Sequence, residues 1–315
     1  MALSLKAKLK KHKRLIPFVI PAMLFALVFS YLPMLGIIIA FKENPNFGRY
    51  PVLEALSRSR WTLDNFKVIF SDNEILHYLA NTLTISIMKI VILFPLPVVL
   101  AIMISEVRNK VFSFILQGIV FLPHFLSWVV ITGIFNNLLD VYGPINNLVS
   151  LFGGDPVYFM GEPKLFKWLV VIISGWKEIG YSSIVYIAAI TAINQQLYEA
   201  AEIDGANKLK QIWHITIPGI LPTIMVMFII RIGFLMDAGF EQVYTMLNSY
   251  TRESGEIIGT YVYRLGLGTG SRDYGLSTAV GLFNGIISMV LILLTNWFSK
   301  KKFGTGLWWC YGKCN

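Results

Sequence analysis

The chain has 315 residues, 55% of them hydrophobic and only 14% charged, and carries a formal net charge of +9. Soluble domains are about 25% charged and disordered chains need low hydrophobicity, so both classes are excluded, as is a free-standing nucleic-acid binder. Two cysteines, Cys310 and Cys314, cannot make a disulfide framework. What remains is an all-α polytopic membrane protein. A bilayer core about 30 Å thick takes roughly 20 helical residues to cross. Taken in chain order, six stretches meet that need.

The basic segment 1–15 precedes a first uncharged span at 16–41. That apolar run is too long for a signal peptide and no small-residue cleavage pattern follows, so it reads as an uncleaved helix. A polar loop over 42–77 mixes charges with Trp61, Phe66 and Phe70 and reads as a folded external loop with one short helix. The second span, 78–105, contains Lys89 as its only charge, and the third, 111–135, has none. The segment 136–167 is rich in turn formers, among them Gly143-Pro144, Gly153-Gly154 and Asp155-Pro156. The fourth span, 168–193, is interrupted by Lys177-Glu178, and the fifth, 218–240, holds Arg231 and Asp237. The loop 241–273 carries Gly266, Gly268 and Gly270 but lacks the Gly-Lys-Ser/Thr ending of a phosphate loop, so the chain is not expected to bind ATP. The sixth span is 274–298, followed by a basic tail at 299–315. No metal-ligand cluster is read from the scattered His12, His77, His124 and His214.

Lys and Arg in the loops set the orientation. With both termini cytoplasmic, the inside nets +10, the outside −2 and the helices +1. The reverse arrangement would put the cluster from Lys6 to Arg14 outside, against the rule.

The loop 194–218 reads as two short helices around a break. Leu197, Ala200 and Ala201 share a face by i, i+3, i+4 spacing. Gly205 suits the left-handed end of a helix, Asn207 can cap the next, and Pro218 suits the first turn of the fifth span. An ordinary amphipathic linker on the membrane surface is the plain alternative.

The residues of this loop carry a family resemblance. Glu199-Ala200-Ala201, Asp204-Gly205-Ala206, Ile215 and Pro218 stand at the spacing of the "EAA" loop of ABC importer permeases. Pro33, Gly36, the stretch from Trp61 to Phe66, Asn81-Thr82-Leu83 and the stretch from Trp176 to Tyr186 resemble the oligosaccharide and polysaccharide branch. The resemblance implies the type I importer permease fold in a bacterial inner membrane. It also implies that 194–218 is a coupling segment docking on an ATPase. The implied partners are a second permease subunit of different sequence, two ATPase subunits holding ATP and Mg, and an extracytoplasmic binding protein delivering oligosaccharide. No cofactor is expected on this chain itself. Trp213, where Phe is common, and the end Trp308-Trp309-Cys310-Tyr311 depart from the pattern.

Ionisable groups inside a bilayer are costly and face a cavity or a partner. Lys177, Glu178, Arg231 and Asp237 are therefore candidate contacts for the substrate. Lys177 or Arg231 would be the natural counter-charge of an acidic sugar; interhelical ion pairing is the competing account. For Lys89, pairing with a polar group on another helix is favoured. Aromatic rings beside hydrogen-bonding groups suit sugar faces, which adds Trp176, Tyr181 and Tyr186 on the fourth span and Trp128, Asn136 and Asn137 from the third. Core packing and interfacial belts are the alternative for these. Three other functions stay open: an ABC permease for a non-sugar solute, an ion-coupled secondary transporter using Glu178 and Asp237, and a membrane scaffold without transport activity. The secondary transporter is disfavoured because no inverted repeat is visible, and the scaffold by the charges inside the membrane helices.

Overall fold

The computed structural model describes residues 16–268, 272–304 and 306, with side chains from Val19 onward. The basic tail 1–15, Gly270 and the tail residues from 307, including Cys310, Cys314 and Lys313, lie outside the described residues. Among the described residues there is no strand, only an isolated bridge between Lys42 and Trp61. The Cα packing forms two compact units. One holds the described residues up to Ile69 with those of Leu265–Leu282; the other holds Phe70–Arg264 and the described residues from Phe283 on.

The first unit opens with α1, Ile16–Ala26, which runs on through a π-turn at Leu27–Tyr31 and a 3₁₀ segment at Leu32–Phe41. Pro33 explains the irregularity. It has no N–H to give, and its ring crowds the carbonyl four residues back, at Phe29 in the π-turn. The following loop holds two short helices, α2 (Val52–Arg58) and α3 (Asp64–Ser71), rather than the single one expected. Lys42 fastens it. Its ammonium donates to Ser59 O at 3.0 Å and lies 4.0 Å from the centre of the Trp61 ring. Asn65 Nδ2 donates to Ala40 O and Lys42 O, and the Asn44 amide bonds Arg272 O and Tyr274 N. The polar loop thereby satisfies its own backbone and grips the root of the last helix.

The second unit starts with α4 (Asn73–Leu93), capped by Asp72, and α5 (Pro95–Ser105), which together make a 33-residue span broken only at Phe94. The helix begins five residues before the expected 78, because Asp72 accepts from Glu74 N and starts it there. Next come α6 (Lys110–Phe121), a 3₁₀ turn at Leu122–Phe125 and α7 (Trp128–Leu138). The expected straight span at 111–135 is not formed: α7 turns 100° away from α6. Pro123 and the Ser127 cap, which accepts from Val130 N, restart the helix in a new direction. After α8 (Pro144–Leu151) comes α9, Pro163–Thr191, whose 29 residues begin earlier than the expected 168 because Glu162 caps it and Pro163 fills its first turn.

The chain then makes α10 (Gln195–Ile203), α11 (Lys208–Gln211), a π-turn at Ile212–Thr216 and α12 (Ile217–Gly233). The fifth span therefore ends at Gly233 rather than 240, and Asp237 sits in the turn beyond it. Short helices α13 (Phe240–Met246), α14 (Arg252–Gly255) and α15 (Ile258–Leu267) precede the long final helix α16, Tyr274–Phe303.

Among the described residues four helices are long and apolar enough to cross a membrane, or five if the bent α6–α7 pair counts as one span. α9 has the length but not the apolarity. It is instead the centre of its unit. One side buries Phe166, Val170 and Ile173 with Ile85, Ile131 and Val243. Further along, Tyr186 and Ile190 pack with Ala101 and Ile220. Gly180 lets α9 press against α6, since a Cβ there would collide with the Val120 carbonyl.

Candidate functional site

Three constellations hold most of the residues singled out from the sequence. The first is the α10–α11 hairpin. Asn194 accepts from Gln196 N and starts α10. At its end Gly205 takes φ +75°, so that Ala206 N–H reaches Ala201 O at 2.9 Å and Gly205 N–H reaches Glu202 O at 3.1 Å. Those two bonds satisfy the last carbonyls of α10 and need a left-handed residue at 205. Asn207 Oδ1 then accepts from Lys210 N, and buried Gln211 donates to Ala206 O, closing the hairpin. Tyr198 Oη bonds Thr216 Oγ1 at 2.9 Å and ties the hairpin to the root of α12. Pro218 lies just after the π-turn and cannot bond the His214 carbonyl, so the widened turn absorbs its missing donor. Glu199, Ala200 and Asp204 are exposed, Ala201, Ala206 and Ile215 are half-buried, and Leu197, Ile203, Leu209 and Trp213 stand out into solvent.

The second constellation is a cavity of about 120 Å³ where α4, α9, α12 and the turn after α12 meet. Lys89, Glu178, Arg231 and Asp237 all line it. Arg231 Nη1 stands 3.7 Å from Glu178 Oε2, each side chain about one-third exposed (35% and 34%). Lys89 is buried and donates to Ala238 O at 3.0 Å and Gln242 Oε1 at 2.8 Å. Gln242 is fully buried, accepts also from Ser174 Oγ at 2.6 Å and donates to Val170 O at 2.8 Å. Ala238 and Gly239 both have left-handed φ, +51° and +87°, and a Cβ at Gly239 would lie 2.6 Å from the Lys89 amine. The lysine thus holds the turn that presents Asp237. A second chamber of about 160 Å³, lined by Leu93, Phe94, Tyr186 and Met227, shares Glu178 and Arg231 with the first. The ion pair stands at the junction of the two.

The third is a clamp at the α6–α7 bend. Lys177 Nζ donates to His124 O at 2.8 Å and to Leu126 O, and lies 5.1 Å from the Trp128 ring centre. Tyr181 stacks on His124 at 3.7 Å with the rings 2° from parallel. Trp176 is exposed and meets Phe135 edge-on. Asn136 and Asn137 are exposed near the end of α7, where Asn137 donates to Gly133 O. Tyr186 is buried in the α5–α9–α12 core and is not an open face. The sequence-predicted candidates therefore divide. Glu178, Arg231 and Asp237 come together, with Lys89 added; Lys177, Trp128 and Tyr181 serve the bend; Trp176, Asn136 and Asn137 join neither. Ser174, Gln242 and His124 escaped the reading of the sequence. Among the described residues no three His, Cys, Asp or Glu side chains gather as metal ligands.

The family model of binding-protein-dependent transport system inner membrane components matches residues 93–301. The chain belongs to this family. As an inner membrane component it is a multi-pass transport subunit. It is similar to the polygalacturonan/rhamnogalacturonan transport system permease protein YteP of Bacillus subtilis, at 40% identity over 93% of this chain and 90% of that protein. It is 38% identical to protein LplB of the same organism, over 97% of this chain and 94% of that one. Among solved structures it resembles a chain of a bacterial alginate ABC transporter in complex with an alginate pentasaccharide-bound periplasmic protein. The TM-score is 0.86 at 36% identity, over 97% of this chain and 100% of that chain.

Proposed function

We propose that this subunit imports acidic oligosaccharides, delivered by an extracytoplasmic binding protein, through a pore shared with a second permease subunit of different sequence. In this reading the chain crosses the membrane six times with both termini in the cytoplasm. α9 is the crossing that composition alone disfavours, because its charges face a cavity and a packed bend instead of lipid. The α10–α11 hairpin docks on one of two ATPase subunits, where ATP is bound with Mg and hydrolysed.

The observation that carries the substrate class is the Arg231–Glu178 pair at the meeting of two cavities. A cation held by a carboxylate only 3.7 Å away, and still one-third exposed, can exchange that partner for the carboxylate of a passing uronate. Lys89 behind it adds positive potential without leaving its hydrogen bonds. The names of the relatives, which carry polygalacturonan, rhamnogalacturonan and alginate, point to the same chemistry. A neutral sugar would gain nothing from the exchange.

The deciding experiment reconstitutes the complete transporter and compares uptake of galacturonate or alginate oligomers with neutral oligosaccharides. Arg231→Met should lower acidic-sugar uptake at least tenfold while sparing ATPase stimulation by loaded binding protein. Equal loss for neutral and acidic sugars would overturn the assignment. Orientation is tested separately by labelling Asp155→Cys and Glu199→Cys, in a background with Cys310 and Cys314 replaced by serine. An impermeant reagent outside the cell should reach the first and not the second.

A further inference from the structure

A further cavity of the second unit is unrelated to the charged pair. It has a volume of about 800 Å³ and lies between the turn joining α5 to α6, the end of α9 and the α10–α11 hairpin. Arg108, Lys110 and Lys208 line it, together with Glu106 and Glu202. Lys208 is shared between the two acids, at 4.0 Å from Glu106 and 3.4 Å from Glu202. Arg108 and Lys110 are exposed and have no polar partner among the described residues. Three cations against two carboxylates leave one positive charge over, the charge that a single phosphodiester neutralises.

The cavity is not polar throughout. Ile187, Ile190 and Phe114 form its apolar wall. Phe114 is 76% exposed. An apolar wall thus stands beside a basic mouth at the start of a membrane helix. Basic pockets between helices at the cytoplasmic surface suit anionic lipid headgroups, and long apolar faces suit acyl chains.

We propose that this cavity binds the headgroup of an anionic phospholipid, its phosphodiester held by Arg108, Lys110 and Lys208 and the start of its acyl chains against Phe114, Ile187 and Ile190. The lipid would join the α5–α6 turn to the hairpin and so brace the segment that meets the ATPase. The proposal rests on the orientation given above, which puts this mouth at the cytoplasmic leaflet.

The test uses the intact delipidated complex, with phosphatidylglycerol or phosphatidylcholine added back and retention read by native mass spectrometry. Phosphatidylglycerol should be retained in preference to phosphatidylcholine. R108A/K110A should bind it roughly 30-fold more weakly, since each basic residue at an anionic surface contributes about fivefold. R108Q/K110Q should behave alike, and both should elute as intact complexes because the side chains are exposed. K300A/K301A/K302A, at the end of α16, should retain lipid like the parent. Unchanged retention in R108A/K110A, equal retention of phosphatidylcholine, or displacement of the lipid by equimolar inorganic phosphate would overturn the site. Labelling of Asn109→Cys from outside would refute the orientation instead, and the lipid measurement would still judge the cavity.

Discussion

Replacing Lys177 by methionine separates a ligand role from a structural one. The stem of the side chain is kept and only the ammonium is lost. That ammonium bonds two carbonyls, His124 O and Leu126 O, at a bend where the regular helical acceptors and donors have parted. Charge-assisted hydrogen bonds contribute about 1.5–3 kcal/mol each, so the two together are worth about 3–6 kcal/mol in gross terms. Methionine also removes the cost of holding an ammonium among apolar helices, about 2.5–3.5 kcal/mol on insertion scales. The balance runs from about zero to a net loss of about 3.5 kcal/mol, and the middle of both ranges gives a loss of about 1.5 kcal/mol. The variant should therefore show a lowered melting temperature of the purified complex. It should also show a loosened α6–α7 bend, read as faster hydrogen exchange over residues 122–130. Uptake of acidic and neutral sugars should fall in equal proportion. A K177M transporter with parental melting and a selective loss of acidic-sugar uptake would refute this reasoning and return Lys177 to the list of sugar contacts.

Three further outcomes follow from the geometry. Gly205→Pro puts a ring fixed near φ −65° where the chain needs +75° and removes the N–H given to Glu202 O; it should abolish stimulated ATPase activity, as should Glu199→Lys, with the transmembrane helices still assembled by circular dichroism. Arg264, itself partly exposed, grips the buried Glu256 through two bonds of 2.9 and 3.2 Å, so Arg264→Ala leaves that carboxylate to Tyr78 alone and should cost about 1–3 kcal/mol, whereas R264M/E256Q should recover part of that stability in a thermal-shift assay. Burial pushes the Tyr261 hydroxyl up to about 12 from about 10 in an unfolded chain; a raised value means its contribution is whole below pH 10 and is lost as pH climbs through 12, and Tyr261→Phe should flatten that part of an alkaline unfolding curve.

How much of this was legible in the sequence depends on whether the deciding interaction is local. The hairpin was legible because each of its devices lies within a few residues. Gly205 ends one helix, Asn207 starts the next, and the apolar spacing of Leu197, Ala200 and Ala201 marks a face. The bend at Leu122–Phe125 was not legible from hydropathy, since both arms are equally apolar. Only Pro123 hinted at it, and what stabilises it, Lys177, is 53 residues away from the His124 carbonyl it bonds. Lys89 and Gln242 are separated by 153 residues and read separately as an isolated lysine and an unremarkable glutamine. Arg231 and Asp237 are six residues apart and would lie on different faces of one continuous helix, but the helix ends between them at Gly233, and that is what lets both reach the same cavity.

That ending also sets how the two working parts of the chain are joined. Lys208–Gly233 forms one 26-residue apolar helix, with α11 of the hairpin at its start and Arg231 in its last turn. At 1.5 Å per residue the rod is about 39 Å long. Tyr198 and Thr216 fix the hairpin to it near the lower end, and the partner of Arg231, Glu178, belongs to a different helix, α9. On the docking proposed above, a hairpin displaced by an ATPase would carry its end of the rod with it. The π-turn at Ile212–Thr216 and Pro222 are the two places where the helix can bend and absorb part of the motion. Whatever they do not absorb would be delivered as sliding of α12 against α9, across an ion pair that is already long at 3.7 Å and one-third exposed. Such a pair is weak enough to part and re-form within one cycle, which a bidentate bridge on a buried carboxylate like Arg264–Glu256 is not. The chemistry that would receive an acidic sugar thus sits at the joint where the rod must move.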